Sequence, residues 1–156
     1  MKKSVVLRPM PFLLNLFLTL GGGALVGLAT RRNPACEALC RPPFSPPGWV
    51  FGLVWNILYF LMAVSVALII SRAGWDNTAT KLFYGQLAVN LFWPLLFFSF
   101  GQLTFSFVWL LLLIVLTAAM LRAFFKISPT AGVLQLPYLL WLLFAAYLNL
   151  GFAVLN

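Results

Sequence analysis

Histidine is absent from the sequence, and the acidic side chains are only two, Glu37 and Asp76. Without an imidazole there is no Ser-His-Asp triad, no HExxH zinc site and no His-ligated haem. Two carboxylates, both in predicted loops, leave almost nothing from which to build a paired general acid and base. Cysteine is equally scarce, with Cys36 and Cys40 four residues apart. Two thiols fall short of a closed structural zinc site. They read first as small unpaired hydrophobes, with a strained disulfide as the alternative if their loop faces an oxidising compartment. Charge of either sign is rare: 8% of residues are charged, against roughly 25% in soluble domains. A water-facing globule cannot be clothed with so little polar surface.

Apolar residues fill the space instead, at 63% of 156 residues, a length that suits a single domain. The formal charge of +8 comes from ten Lys and Arg that flank apolar runs. Cations in those places orient helices and touch anionic headgroups, so the expected partner is the lipid bilayer and not nucleic acid. Runs of about 20 residues predict five spans. They are Met10 to Thr30, Trp49 to Ile70, Leu82 to Phe100, Phe105 to Leu121 and Thr130 to Leu155. The fold class expected is therefore an all-α integral membrane protein, a bundle of five transmembrane helices in one domain.

The breaks carry their own punctuation: Arg31 to Pro34, Ser71 to Asn77, Gly101-Gln102, and Arg122, Lys126, Ser128 and Pro129. The first run is longer than a signal-peptide core and lacks a small-x-small cleavage site, so it reads as a retained helix. Five spans put the termini on opposite sides. Lys2, Lys3, Arg8, Arg72, Lys81, Arg122 and Lys126 then share the amino-terminal side, and Arg31, Arg32 and Arg41 lie opposite. The positive-inside bias predicts a cytoplasmic amino terminus, in a bacterial cell membrane, with the first loop outside.

That loop, 31–48, ends in Arg41-Pro42-Pro43-Phe44-Ser45-Pro46-Pro47-Gly48, too rich in proline to be helical. It is either a stiff linker or a lid over one end of the bundle, with Ser45 a candidate cap for the second helix. Trp49 and Trp75 fall at span ends as interfacial anchors, and Trp109 is expected to face lipid. Aromatic residues also recur at helical spacing inside the spans: Phe51, Trp55, Leu58, Tyr59 and Met62; Trp93 and Phe97 beside Asn90 and Pro94; Tyr138 and Trp141 beside Ala145, Leu148 and Asn149. Such stripes usually pack helices. Here amides share the spans, at Asn56, Asn90, Gln135 and Asn149, where an unpaired amide is expensive. They either bond neighbouring helices or orient a flat aromatic ligand between indoles. Pro94 and Pro137 are expected to break backbone pairing locally. Gly23 and Gly27 form a GxxxG pair, read first as packing within the bundle and second as a dimer seam.

Three segments resemble the tryptophan-rich sensory protein or translocator protein family, also called peripheral-type benzodiazepine receptors (TspO/MBR). They are Arg41 to Tyr59, Asn90-Leu91-Phe92-Trp93-Pro94-Leu95-Leu96-Phe97-Phe98, and Leu136-Pro137-Tyr138-Leu139-Leu140-Trp141 followed by Phe144-Ala145-Ala146-Tyr147-Leu148-Asn149. The resemblance implies a five-helix bundle, usually a homodimer, whose pocket is closed by the first loop. It implies a receptor, sensor or carrier for porphyrins such as protoporphyrin IX and haem, with sterols and isoquinoline or benzodiazepine compounds as further ligands. No cofactor is required on this reading; the porphyrin is the ligand. Trp55, Asn90, Trp93, Trp141 and Ala145 carry over by position as pocket residues. Together with the stripes they give the candidate set Phe51, Trp55, Tyr59, Asn90, Trp93, Phe97, Tyr138, Trp141, Ala145 and Leu148. Competing readings are light-driven porphyrin degradation using Trp55 and Trp141, and a transporter or assembly partner. The sequence departs from the family pattern at Leu53, Leu95 and Cys36. No basic residue follows Tyr147, so the proposed cholesterol motif is not matched.

Overall fold

Prolines and short polar side chains set where the helices begin. Pro9 opens α1 (Pro9–Ala29), where a missing N–H costs nothing. Pro47 precedes α2 (Gly48–Ala73). Asn77 caps α3 (Thr78–Ser99) by accepting from the Thr80 N–H at 2.9 Å. After α4 (Leu103–Ile127), Ser128 accepts from the Ala131 N–H and Pro129 opens α5 (Pro129–Leu155). Gly74 and Gly101, at φ of 77° and 63°, make the sharp turns that end α2 and join α3 to α4. The structure, a computed structural model, describes residues 7–30 and 38–156. Lys2, Lys3, Arg31, Arg32, Asn33, Pro34, Cys36 and Glu37, and with them any pairing of Cys36 with Cys40, lie outside the described residues.

All five helices are long and apolar enough to cross a membrane, so the chain is an all-α, multi-span membrane protein. Several boundaries differ from those read in the sequence. Helix α4 continues six residues past Leu121, through Arg122 and Lys126, because both exposed cations sit in its last turns. Long basic side chains can reach the interface from a helix without ending it. For the same reason α2 runs on through Arg72 to Ala73. Ser45 is not the cap of α2; its hydroxyl donates to Pro42 O at 2.6 Å within the loop. Trp109 does not merely face lipid: its indole N–H donates to Val89 O at 2.9 Å, tying α4 to α3.

Lipid tails are as apolar as leucine, so close packing and interhelical hydrogen bonds hold such a bundle together, each bond contributing about 0.6–2 kcal/mol. Tyr84 Oη donates to Asn15 Oδ1 at 2.9 Å, joining α3 to α1. Ser65 Oγ donates to Ala131 O at 2.7 Å, joining α2 to α5. The Arg8 N–H meets Ser71 Oγ, and the Arg72 guanidinium donates to Ile127 O. Those contacts gather the start of α1 and the ends of α2 and α4 at one end of the bundle. Cys40 and Asn156 exchange hydrogen bonds at the other.

Helix α1 has two halves. The first lies along α2, with Pro11, Asn15 and Thr19 buried. A wide π turn at Phe17–Gly21 follows, and beyond it no residue of α1 is fully buried. Gly23 still packs close: a Cβ there would strike the Tyr59 ring. Gly27, one turn on, would meet nothing within 4 Å. The first of these glycines is thus a packing contact within the bundle, and the second leaves space.

Candidate functional site

That space is a cavity of about 770 Å³ between the second half of α1, the first half of α2, the end of α3 and the second half of α5. Pockets for small aromatic or drug-sized ligands span ~300–1,000 Å³. Its walls are chiefly aromatic and small: Phe51, Trp55 and Tyr59 from α2, Trp93 and Phe97 from α3, Ala145, Leu148 and Phe152 from α5. Helical spacing puts the α2 residues on one face, and the Trp55 ring meets that of Tyr59 at 5.4 Å, tilted by 32°. Pro94 also lines the cavity, and the π turn Leu95–Ser99 that follows it swings Phe97 and Phe98 into the wall.

Loop residues Leu39, Arg41, Ser45 and Pro46 close one end. The segment is pinned across α5 by Tyr147 Oη donating to Pro43 O at 3.1 Å and by the Cys40–Asn156 exchange. Pro42 lies so near Gly151 that a Cβ there would sit 2.6 Å from the proline ring. A tight turn at Pro42 to Ser45 holds Phe44 at φ 61°, a left-handed conformation ordinarily left to glycine or asparagine. Residues 38–48 of the loop thus run along one end of the cavity.

Seven of the ten sequence candidates line the cavity: Phe51, Trp55, Tyr59, Trp93, Phe97, Ala145 and Leu148. Asn90 and Tyr138 lie beneath it as a buried floor. Tyr59 Oη donates to Asn90 Oδ1 at 2.9 Å, Asn90 Nδ2 donates to Tyr138 Oη at 2.9 Å, and Tyr138 Oη donates to Gln86 Oε1 at 2.8 Å. Trp141 faces a separate apolar groove between α2 and α5, lined by residues such as Ile57, Leu61 and Pro137. Its ring meets that of the cavity residue Phe51 at a separation of 5.3 Å.

Asn149, grouped on the α5 stripe by spacing, also lines the cavity and organises the wall. Its Oδ1 accepts from Trp93 Nε1 at 3.0 Å and lies 3.1 Å from Ser106 Oγ, while its Nδ2 donates to Leu103 O at 2.8 Å. One amide thereby fixes the indole of α3 and the start of α4. Sequence reasoning missed the contribution of α1, where Gly23, Ala24 and Gly27 form a thin wall. The GxxxG spacing was the available signal, since small residues that permit close approach also leave room. Arg41 and Phe152 were missed as well; no periodicity marks a loop cation, and Phe152 lies a turn beyond the stripe. Among the described residues no cluster of potential metal ligands occurs.

Comparison with known proteins agrees with this architecture. A model of the TspO/MBR family matches residues 15–155. A protein named Tryptophan-rich sensory protein from Cereibacter sphaeroides is 33% identical over 145 residues, 90% of this chain and 91% of that one. Proteins named Translocator protein are similar too: that of Ovis aries is 41% identical over 116 residues, 72% of this chain and 69% of its own. The Homo sapiens protein is 39% identical over 115 residues, 71% of this chain and 68% of its own. With the three aromatic segments, the five spans and the loop-covered cavity in place, the chain belongs to the TspO/MBR family of integral membrane proteins.

Proposed function

We propose that the protein is a membrane receptor, sensor or carrier that binds porphyrins such as protoporphyrin IX and haem in the cavity between α1, α2, α3 and α5. The observation that carries this reading is the combination of an aromatic wall with an ordered cover: a flat apolar macrocycle is sandwiched by rings while the loop shields it. Sterols and isoquinoline or benzodiazepine compounds suit the same apolar walls. Titrating the purified protein with protoporphyrin IX should quench tryptophan fluorescence saturably. Gly27→Leu fills the cavity from a position with open space, so it should abolish the quenching while the helical circular dichroism is kept. Undiminished binding by Gly27→Leu would place the ligand elsewhere.

A second reading, light-driven porphyrin degradation, is favoured by one observation: Trp55 lies in the wall and Trp141 one ring behind it, across Phe51. Illumination with porphyrin and oxygen should then give products that change in Trp141→Phe; identical products leave the protein a binder. For topology we propose a cytoplasmic amino terminus in a bacterial membrane. Arg8, Arg72, Lys81, Arg122 and Lys126 occupy that end of the bundle, against Arg41 at the other. A reporter fused at Asn156 should be active only outside the cytoplasm.

A further inference from the structure

The cavity has a polarity that its aromatic walls conceal. At the inner end the polar groups aimed into it are uncharged and, apart from the indole N–H of Trp55, already engaged. The Tyr59 hydroxyl proton goes to Asn90, the Trp93 N–H to Asn149, and the Asn149 amide to Leu103 O. Toward the mouth, the Ser45 and Thr30 hydroxyls donate to Pro42 O and Val26 O, and Asn56 Nδ2 donates to Gly52 O. Arg41 differs from all of these. It is exposed, it lines the cavity beside the covering loop, and it is the one cation among the described residues that does so. Its guanidinium offers a fork of N–H donors matched to a carboxylate. Among the described residues no acidic side chain lines the cavity beside it.

From this asymmetry we infer that the cavity selects amphipathic ligands that carry a carboxylate, or an anion of similar geometry, at one edge. The apolar body lies against the uncharged inner walls and the anion is held at the mouth by Arg41. This rests on the porphyrin-binding reading and sharpens it. Arg41 sets specificity and orientation, while the rings supply most of the contact area. An inner end lined by no cation among the described residues rejects a ligand entering charge first, because no opposite charge there repays the desolvation of an anion.

The test compares protoporphyrin IX, with two propionates, and its dimethyl ester in phosphatidylcholine nanodiscs, for wild type, Arg41→Gln, Arg41→Lys and Arg122→Gln. Taking the acid-to-ester affinity ratio for each protein cancels the different partitioning of the two probes into lipid. A charge-assisted contact at a partly exposed site is expected to give wild type about a fivefold preference for the acid. In Arg41→Gln the ratio should fall to about one with the ester affinity unchanged, which also reports an intact cavity. Arg41→Lys should be intermediate, keeping charge without the fork. Arg122→Gln, at the opposite end of the bundle, should match wild type. An equal ratio in wild type and Arg41→Gln overturns the inference, as does an equal loss in Arg122→Gln, which would make the effect one of overall charge. If anionic lipid added to the nanodisc abolishes the wild-type preference without displacing the ester, Arg41 serves lipid headgroups instead. Failure of both probes to bind wild type refutes the cavity reading itself and the inference with it.

Discussion

Replacing Gly23 by alanine is the sharpest perturbation of the contact on which the cavity rests. The added Cβ would strike Tyr59 Cε2 and fall 2.7 Å from Cδ2 and 3.1 Å from Cζ. The ring cannot simply turn aside. It is buried, packed against the Trp55 ring, and fastened through its hydroxyl to Asn90. Either α1 moves outward or the ring gives up Asn90. Overpacking costs about 1–3 kcal/mol, and stranding a buried hydrogen-bond partner about 1–3 kcal/mol more. The better helix propensity of alanine returns about 1 kcal/mol. Where the ring is both crowded and parted from Asn90, the net loss is about 3 kcal/mol, or roughly 6–12 °C in Tm for a chain of this size. Thermal denaturation followed by circular dichroism measures it, and porphyrin quenching reports the cavity in the same samples. Gly27→Ala, whose Cβ meets nothing within 4 Å, should not lose stability. In a Tyr59→Ala background the Gly23→Ala penalty should vanish, because the atoms it strikes are gone. A Gly23→Ala protein as stable as wild type, with no coupling to Tyr59, would show that α1 is not seated on that ring.

Other consequences follow from the hydrogen bonds around the cavity. Asn149→Leu removes the acceptor of the Trp93 indole and should destabilise by about 2–4 kcal/mol, whereas Trp93→Phe, which removes the donor together with its need for a partner, should cost about 1 kcal/mol in the same denaturation assay. Tyr147→Phe deletes the bond from α5 to Pro43 O and should speed porphyrin dissociation about three- to tenfold in stopped-flow measurements, with Tm nearly unchanged. Asp76→Asn should leave Tm unaltered at neutral pH, since the Asp76–Lys81 pair is solvent-exposed. Lys81 holds the Asp76 carboxyl below its ordinary value by hydrogen bond and charge. Any contribution of the pair is therefore complete above the ordinary carboxylate range and lost as pH falls through the lowered value.

Much of the site was legible because helical spacing is a property of the chain. Phe51, Trp55 and Tyr59 had to share a face once α2 was a helix, and so did Trp93 and Phe97 on α3. Which way a stripe points is a different matter. Trp141 follows Tyr138 by three residues, yet its ring turns into the α2–α5 groove while Ala145 and Leu148 further along α5 meet the cavity. Tyr138 faces inward but one layer too deep, under Asn90. Boundaries differ at Arg72 and Arg122, where a helix runs on through a cation, because the long side chain reaches the interface from within the helix.

The sequence by itself determined the solvent, the number of crossings and the family, since 63% apolar residues in five long runs can be satisfied only by lipid and only as helices. Tertiary structure alone decided where there would be empty space. Glycines at 23 and 27 read identically along the chain, but one touches Tyr59 and the other touches nothing. The difference arises from the divergence of α1 from α2 beyond its π turn, a relation between two helices that neither one encodes alone. The mouth was decided in the same way. Arg41 is one of ten basic residues in the sequence, and only the folding of its loop across α5 brings its charge to the edge of a cavity whose other described lining residues are uncharged.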